Sequence, residues 1–212
     1  GSPNLLSVFE AFFENGTAYA VTERLSGATL TDYLAMEDRL LLPGEAVYIA
    51  EGVSDALLVI HSLSILHHDI SPDTIWISTD GTVKLTDFGA GKRTVLTRHE
   101  VDESRPSSDI RALGAALYAA VTGRDASDQP DVPAGATLPE SLREMLERML
   151  SPDPGIRFQS VFELRYAAYA QQIPTIAPAV TPARIAAWRQ RASSEAARKS
   201  VVEAPLLNDT RE

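Results

Sequence analysis

Two aspartates in the middle of the chain stand where side-chain chemistry is expected. Asp69 follows two histidines in a polar loop, and Asp87 ends an apolar run and is followed by Phe88 and Gly89. Carboxylates in such positions can accept a proton from a substrate hydroxyl or hold a divalent cation. The same residues also form ordinary turns, in which Asp69 makes an Asx-turn and Asp87 precedes a buried Phe. The residues alone leave both interpretations open.

The segment between the two aspartates predicts a β-hairpin over residues 75–86. Asp80-Gly81 lies between two short apolar runs, and this dipeptide is a strong signal for a tight hairpin turn. Alternation along the first strand places Trp76 on the face opposite its two isoleucine neighbours. A second hairpin is predicted nearer the N-terminus, over residues 5–25, where Asn15-Gly16 provides the turn.

Helical periodicity dominates the rest of the chain. Pro43 opens one long apolar-striped helix, and Ser108 is the expected N-cap of another, which Gly123 ends. We therefore expect an α+β fold that is mainly helical. The predicted helices are 31–40, 43–60, 109–122, 140–150, 161–171 and 183–199.

Composition excludes several classes of protein. With 212 residues, 44% of them apolar, the chain can bury one sizeable core, and its formal charge of −10 argues against general nucleic-acid binding. It has no apolar run long enough for a transmembrane segment, and it has no cysteine, which fits a cytoplasmic location. The four histidines lack the i, i+4 spacing of a helical zinc site, so no zinc is expected.

The C-terminal part differs in composition from the rest. Residues 173–182 hold three prolines and predict a semi-extended linker. Residues 183–199 then form a basic, amphipathic helix, followed by a tail to residue 212. This helix is either a docking element for an acidic surface or a solvated tail.

Residues 3–170 as a whole resemble the bacterial Ser/Thr protein kinases of the eukaryotic type, entered partway through the domain. The loop His67-His68-Asp69 resembles the kinase catalytic loop, and Asp87-Phe88-Gly89 resembles the D-F-G motif. The fold implied is the large lobe of a protein kinase with a small remnant N-terminal hairpin. Other segments that match in the family's order are 2–4, 17–25, 108–114 and 151–158.

The resemblance implies a role for each residue near the two aspartates. Asp69 would orient a substrate hydroxyl as the catalytic base, and Asp87 would hold magnesium on ATP. Thr74 stands where the family has the Asn that binds a second magnesium ion, so it is a candidate for both the catalytic and the metal site.

The nucleotide side of the site is assigned in the same way. Backbone atoms of Glu23 and Leu25 would pair with adenine, in a hinge that follows Thr22 at the gatekeeper position. Trp76 would form the floor of the adenine pocket. Its indole either stacks on a purine or fills the space that a purine would occupy.

Further residues would hold the site together. His67 is expected to pack against Phe88, and Gly89 completes the D-F-G motif. Asp109 would brace the catalytic loop, and Arg157 would normally pair with the Glu of an A-P-E motif. No A-P-E is present in the short interval that follows Asp87, so Glu100 and Glu103 remain as alternatives.

Departures from the family pattern divide the functional hypotheses. The Gly-rich loop and the Lys of the third strand would lie upstream of residue 1, and the substrate-docking segment is shortened. The first hypothesis is a catalytically inactive pseudokinase that acts as a scaffold or regulator with a protein partner. The second is the C-terminal part of an active kinase that uses ATP and Mg²⁺. The third is a helical interaction module without any nucleotide role.

The expected division of the chain follows from this alignment. The segment 1–25 would be a remnant of the small lobe and hinge, and 26–172 would be the large lobe. The linker 173–182 and the basic helix and tail, 183–212, would lie outside the kinase-like fold.

Overall fold

The computed structural model describes residues 2–87, 105–126, 138–170, 172 and 174–202, with side chains described as far as Ser193. Within these residues the chain forms six helices and five strands. The helices are α1 Leu30–Glu37, α2 Pro43–Ser62, α3 Pro106–Thr122, α4 Glu140–Leu150, α5 Val161–Ala170 and α6 Pro182–Val202. The strands are β1 Val8–Glu14, β2 Thr17–Thr22, β3 Gly27–Thr29, β4 Ile75–Ser78 and β5 Val83–Leu85.

The fold is α+β and mainly helical, as predicted from the sequence. All six predicted helices form, with ends that differ from the prediction by a few residues, and none in the described part is long and apolar enough to cross a membrane. The start of α3 was predicted wrongly. Arg105 occupies the N-cap position, and Pro106 provides the fixed φ that suits a first helical residue. Ser108 therefore lies inside the first turn, where its Oγ donates to the Arg105 carbonyl at 2.7 Å.

A three-stranded antiparallel sheet, β3-β4-β5, carries the predicted hairpin of residues 75–86. The strand β3 was not predicted, because three residues with one glycine carry no alternation signal. Ile75 and Ile77 face the core and are fully buried. Trp76 lies on the other face, opposite Thr29 on one side and Lys84 on the other.

The N-terminal hairpin β1-β2 is confirmed but stands apart from the core. Asn15 and Gly16 both have positive φ, as a two-residue hairpin turn of this kind requires. Every residue in both strands is exposed, and Phe9 and Phe13 are 71% and 87% exposed. The side chains of Phe12 and Tyr19 stack across the strands with ring centroids 5.3 Å apart.

The core lies between α2, α3 and α4, with β4 and β5 along one side. Gly114 allows α3 and α4 to approach closely, because a Cβ at this position would lie 2.7 Å from the Cβ of Met149. The central helix α3 buries Ile110, Leu113 and Leu117 completely. The helix α3, whose first residues match a kinase motif at 108–114, is therefore also the structural centre of the domain.

A buried carboxylate fixes the start of α2. Glu45 is 3% exposed and accepts hydrogen bonds from the Leu42 amide at 2.9 Å and the Tyr33 hydroxyl at 2.6 Å. Arg39 donates to both of its oxygens, at 2.7 and 2.8 Å. Burial by itself raises the pKa of Glu45, but these hydrogen bonds outweigh it and the net pKa is lowered. Burial and the bond to Glu45 raise the pKa of Tyr33 to about 12.

The C-terminal segment packs on the body of the domain. The Ile176 amide donates to the Gly44 carbonyl at 3.0 Å, so the proline-containing stretch runs along the start of α2. Val180 and Ile185 are 3% and 8% exposed and belong to the hydrophobic core. Arg184 forms an ion pair with Glu37, which fastens α6 to α1.

We expect Ile185→Ala to lower the free energy of unfolding by about 2 kcal/mol, because it removes buried apolar volume and leaves a cavity. Urea denaturation followed by circular dichroism measures this change. Arg189→Ala, at an exposed position of the same helix, should change stability by less than about 0.5 kcal/mol. Equal stability of the two variants would show that α6 adds nothing to the core.

Candidate active site

A buried carboxylate on α3 holds the loop that precedes Asp69. Asp109 is 1% exposed, and its Oδ1 accepts from the backbone amide of His68 at 2.9 Å. Its Oδ2 accepts from the His67 amide at 2.9 Å and is 2.8 Å from Nε2 of His61. Three donors from two separate segments therefore converge on one side chain in the first turn of a helix, where a negative charge is favoured.

These contacts set the ionisation of Asp109. Burial raises the pKa of the carboxyl group, but the hydrogen bonds from His61 and the two backbone amides outweigh it, so the net pKa lies below its ordinary value. The carboxylate is therefore the form that the fold stabilises. The expectation that Asp109 braces the loop agrees with these contacts.

His67 links the loop to the strand that leads to Asp87. Its side chain is fully buried, and its Nε2 lies 2.7 Å from the Thr86 carbonyl, an acceptor only. Nδ1 accepts a hydrogen bond from the Asp69 amide at 3.2 Å. The two bonds assign the ring proton to Nε2. The expected packing of His67 against Phe88 cannot be described, because Phe88 and Gly89 lie outside the described residues.

The two aspartates are both exposed, and a left-handed backbone position lies directly before Asp69 and at Asp87 itself. His68, which precedes Asp69, has φ 66°, and Asp87 itself has φ 61°. Such angles are uncommon for residues other than glycine and often occur at functional sites. Oδ2 of Asp87 accepts a hydrogen bond from the Thr86 hydroxyl at 3.3 Å.

The side chain of Thr74 is buried, and its hydroxyl is engaged in hydrogen bonds within its own loop. It is 6% exposed, and its hydroxyl accepts from the Ser71 amide at 3.0 Å. The same oxygen lies 3.0 Å from the Asp69 carbonyl and 3.1 Å from the Ser71 carbonyl, to which it donates. Its hydroxyl therefore closes the loop 69–74 on itself.

Trp76 lies on the face of the sheet that the sequence assigned to the adenine pocket. Its side chain is half-buried, and Nε1 is buried without a hydrogen-bond partner among the described residues. A Cβ at Gly27 would lie 2.7 Å from this nitrogen, so only glycine permits the indole to lie against β3. The neighbouring Lys84 pairs with Glu23 at 3.0 Å.

The two hinge residues, Glu23 and Leu25, differ in how far their backbone groups are already hydrogen-bonded. The Glu23 amide donates to the Ser7 carbonyl at 3.0 Å, while its carbonyl accepts from the Thr22 hydroxyl at 3.2 Å. Bonds from the Ser7 amide and from Lys84 lower the pKa of the Glu23 carboxyl. The backbone N–H and C=O of Leu25 have no partner in the part of the chain that the structure describes.

Arg157 is buried in the segment between α4 and α5. It is 3% exposed, and its Nε donates to the Ser151 carbonyl at 3.0 Å. The two glutamates that were considered as its partners, Glu100 and Glu103, lie outside the described residues.

Sequence reasoning missed three residues of the site. His61 was considered only as a metal ligand, yet it is the third donor to Asp109. Gly27 and Lys84 were not singled out, although one makes room for Trp76 and the other pairs with Glu23. No spacing signal links these residues to their partners, since His61 and Asp109 are far apart in the chain.

Comparison with known proteins identifies the family. The family model described as "Protein kinase domain" matches residues 1–112, more than half of the chain. The chain belongs to the protein kinase family.

Bacterial Ser/Thr kinases are among its relatives. It is 30% identical over 178 residues to the serine/threonine-protein kinase PknA of Mycobacterium tuberculosis, covering 69% of this chain and 41% of PknA. It is 28% identical over 196 residues to PrkC of Bacillus subtilis, covering 76% of this chain and 30% of that protein. The chain thus spans less than half the length of these relatives.

The fold also matches a solved kinase structure. The kinase domain of PknI from Mycobacterium tuberculosis superposes with a TM-score of 0.64 at 23% sequence identity, covering 80% of this chain and 72% of that one. The predicted family and the predicted kinase-like fold are both confirmed. The roles of individual site residues remain predictions.

We expect Asp109→Asn to lower the free energy of unfolding by about 2–3 kcal/mol at neutral pH, because an amide replaces a charged acceptor of three donors. The stability of this variant should also depend less on pH in the acid range than the stability of the unaltered chain does. With its folded pKa below the ordinary 3.8, Asp109 contributes stability that is complete above that pH and is lost as pH falls through the folded value.

Denaturation midpoints measured from neutral pH down to acid pH check both expectations. Asp73→Asn is the matched control, since this aspartate lies in the same loop and is exposed. Identical curves for the two variants would contradict the bracing role of Asp109.

Proposed function

We propose that this kinase-family domain is catalytically inactive as a phosphoryl-transfer enzyme and serves as a scaffold or regulator for a protein partner. The observation that carries the proposal is that the hydroxyl of Thr74 forms its hydrogen bonds within its own loop. In protein kinases the two magnesium ions are held by the D-F-G Asp and by the catalytic-loop Asn. The resemblance to the family assigns Thr74 to the position of that Asn. Its hydroxyl is buried within its own loop.

The geometry of a threonine hydroxyl explains why this matters. The group has one proton and two acceptor lone pairs. The proton is directed to the carbonyls of Asp69 and Ser71, and one lone pair receives the Ser71 amide. The second lone pair belongs to a side chain that is only 6% exposed, so a metal ion could reach it only if the turn opened and left buried backbone groups unpaired, which is unfavourable. The described residues therefore do not fit a nucleotide site with two magnesium ions.

Trp76 supports the same proposal from the nucleotide side. Its indole lies against β3 at Gly27, on the face of the sheet that the resemblance to the family assigns to the purine. A nucleotide could use the open backbone groups of Leu25, but two neutral hydrogen bonds add only about 0.5–1.5 kcal/mol each. The formal charge of −10 also disfavours a triphosphate approaching the domain.

The second candidate function is that of an Mg-ATP-dependent Ser/Thr kinase of which this chain is a part. One observation favours it: the brace from Asp109 and the link through His67 hold the loop of Asp69 and the strand before Asp87 in register. Both carboxylates are exposed and thus accessible to a substrate and a metal ion.

Nucleotide binding distinguishes the two candidates. We expect millimolar Mg-ATP to leave the melting temperature of the domain unchanged within about 1 °C, because the domain should bind it weakly. A ligand that binds only the folded state stabilises it by RT ln(1 + [L]/Kd), which is small when Kd is far above the ligand concentration. We also expect no transfer of labelled phosphate to the domain itself or to a generic protein substrate.

Three substitutions make the experiment specific. Thr74→Asn restores the carboxamide and should allow a rise in melting temperature with Mg-ATP if Thr74 is what weakens the metal site. Adding Asp87→Ala to the Thr74→Asn variant should abolish that rise, whereas adding Asp73→Asn should leave it. A rise of several degrees in the unaltered chain, lost on Asp87→Ala, would favour the active kinase instead.

A further inference from the structure

A cavity of about 540 Å³ lies between α2, α4 and α5, away from the residues discussed above. This volume is within the usual range for sites that bind small molecules. Its wall is mainly apolar and includes Ala50 of α2, Met145 of α4 and Ala168 of α5. None of these residues takes part in the candidate active site.

Three aromatic side chains surround the mouth of the cavity. Phe162, Tyr166 and Tyr169 lie on one face of α5, and their spacing places them on successive turns. They are 74%, 76% and 83% exposed, although residues of this size are usually more buried. Exposed aromatic residues grouped around a cavity indicate a binding surface.

Ser54 and Glu51 are the polar residues of α2 that line the cavity. Ser54 is 1% exposed. Glu51 also lines the cavity, and its exposed carboxylate forms no ion pair with the described residues.

The cation that lines the cavity is already neutralised. Arg165 forms an ion pair with Asp55 on α2. The remaining unpaired charge is therefore negative, and it belongs to Glu51. Aromatic side chains beside a carboxylate are the usual recognition elements for an organic ammonium group.

We propose that this cavity binds a small organic cation with an apolar body. The apolar part fills the space between the helices, and the ammonium group reaches Glu51 among the aromatic side chains at the mouth. An organic anion would meet the unpaired Glu51 and would have to break the pair between Arg165 and Asp55. The formal charge of −10 also favours a cation. The site is independent of whether the domain transfers phosphate.

Three matched probes test the charge requirement on the unaltered chain. Naphthylethylamine, naphthaleneethanol and naphthaleneacetate share an aromatic body and differ mainly in charge at neutral pH. Titrations followed by ligand-observed NMR give their dissociation constants. We expect the amine to bind about fivefold or more tightly than the alcohol, because one partly exposed ion pair is worth roughly this factor, and the acid to bind weakest.

Variants then locate the site. Glu51→Gln should remove the preference of the chain for the amine over the alcohol, whereas Glu10→Gln, which removes a charge from the distant hairpin, should leave it. Ala168→Phe should fill the cavity and abolish saturable binding of both probes. Melting temperatures without probe show whether each variant is folded.

Several outcomes would overturn the proposal. Equal binding of the three probes to the unaltered chain would exclude recognition of a cation. Absence of saturable binding for all three would exclude the site as a pocket for ligands of this class. Amine binding that persists in a folded Ala168→Phe variant would place it elsewhere on the surface. The unaltered chain decides the first two even if every variant fails to fold.

Discussion

The carboxylate of Asp109 is the interaction on which the arrangement of the site depends. It joins the centre of the helical core to the loop before Asp69, through two backbone amides and His61. Without it, the left-handed backbone at His68 would depend on the buried His67 and Ile70 beside it. The core thus determines where the loop lies, and the loop in turn determines where Asp69 and Thr74 lie.

The main elements were predictable because their signals are local. Short signals mark the ends of the main elements, and each acts over only a few residues. The helix start at Pro43, the helix end at Gly123 and the two dipeptide turns all lie where they were expected. The N-cap at Ser108 was wrong for a local reason as well. Pro106 can start a helix without a side-chain cap, so the helix begins before the first good capping residue.

The candidate site was predictable as a set of positions but not as a set of contacts. Motif spacing identified the family, and the family model confirmed it. Spacing gave no sign that the hydroxyl of Thr74 would turn back into its own loop, or that Gly27 would make room for the indole of Trp76. Both depend on which strand lies beside which, and β3 is too short to be seen in the sequence.

The exposed hairpin β1-β2 has a consequence for the way this molecule exchanges its amide hydrogens. Backbone bonds of the segment just before it connect it to the body: the Leu6 amide donates to the Leu85 carbonyl at 3.1 Å, and the Leu85 amide donates to the Asn4 carbonyl at 2.8 Å. Strands that bury nothing can open without disturbing the core. Amides in β1 and β2 should therefore exchange through local opening, at rates unrelated to global unfolding, whereas those of α3 should exchange only when the whole domain unfolds.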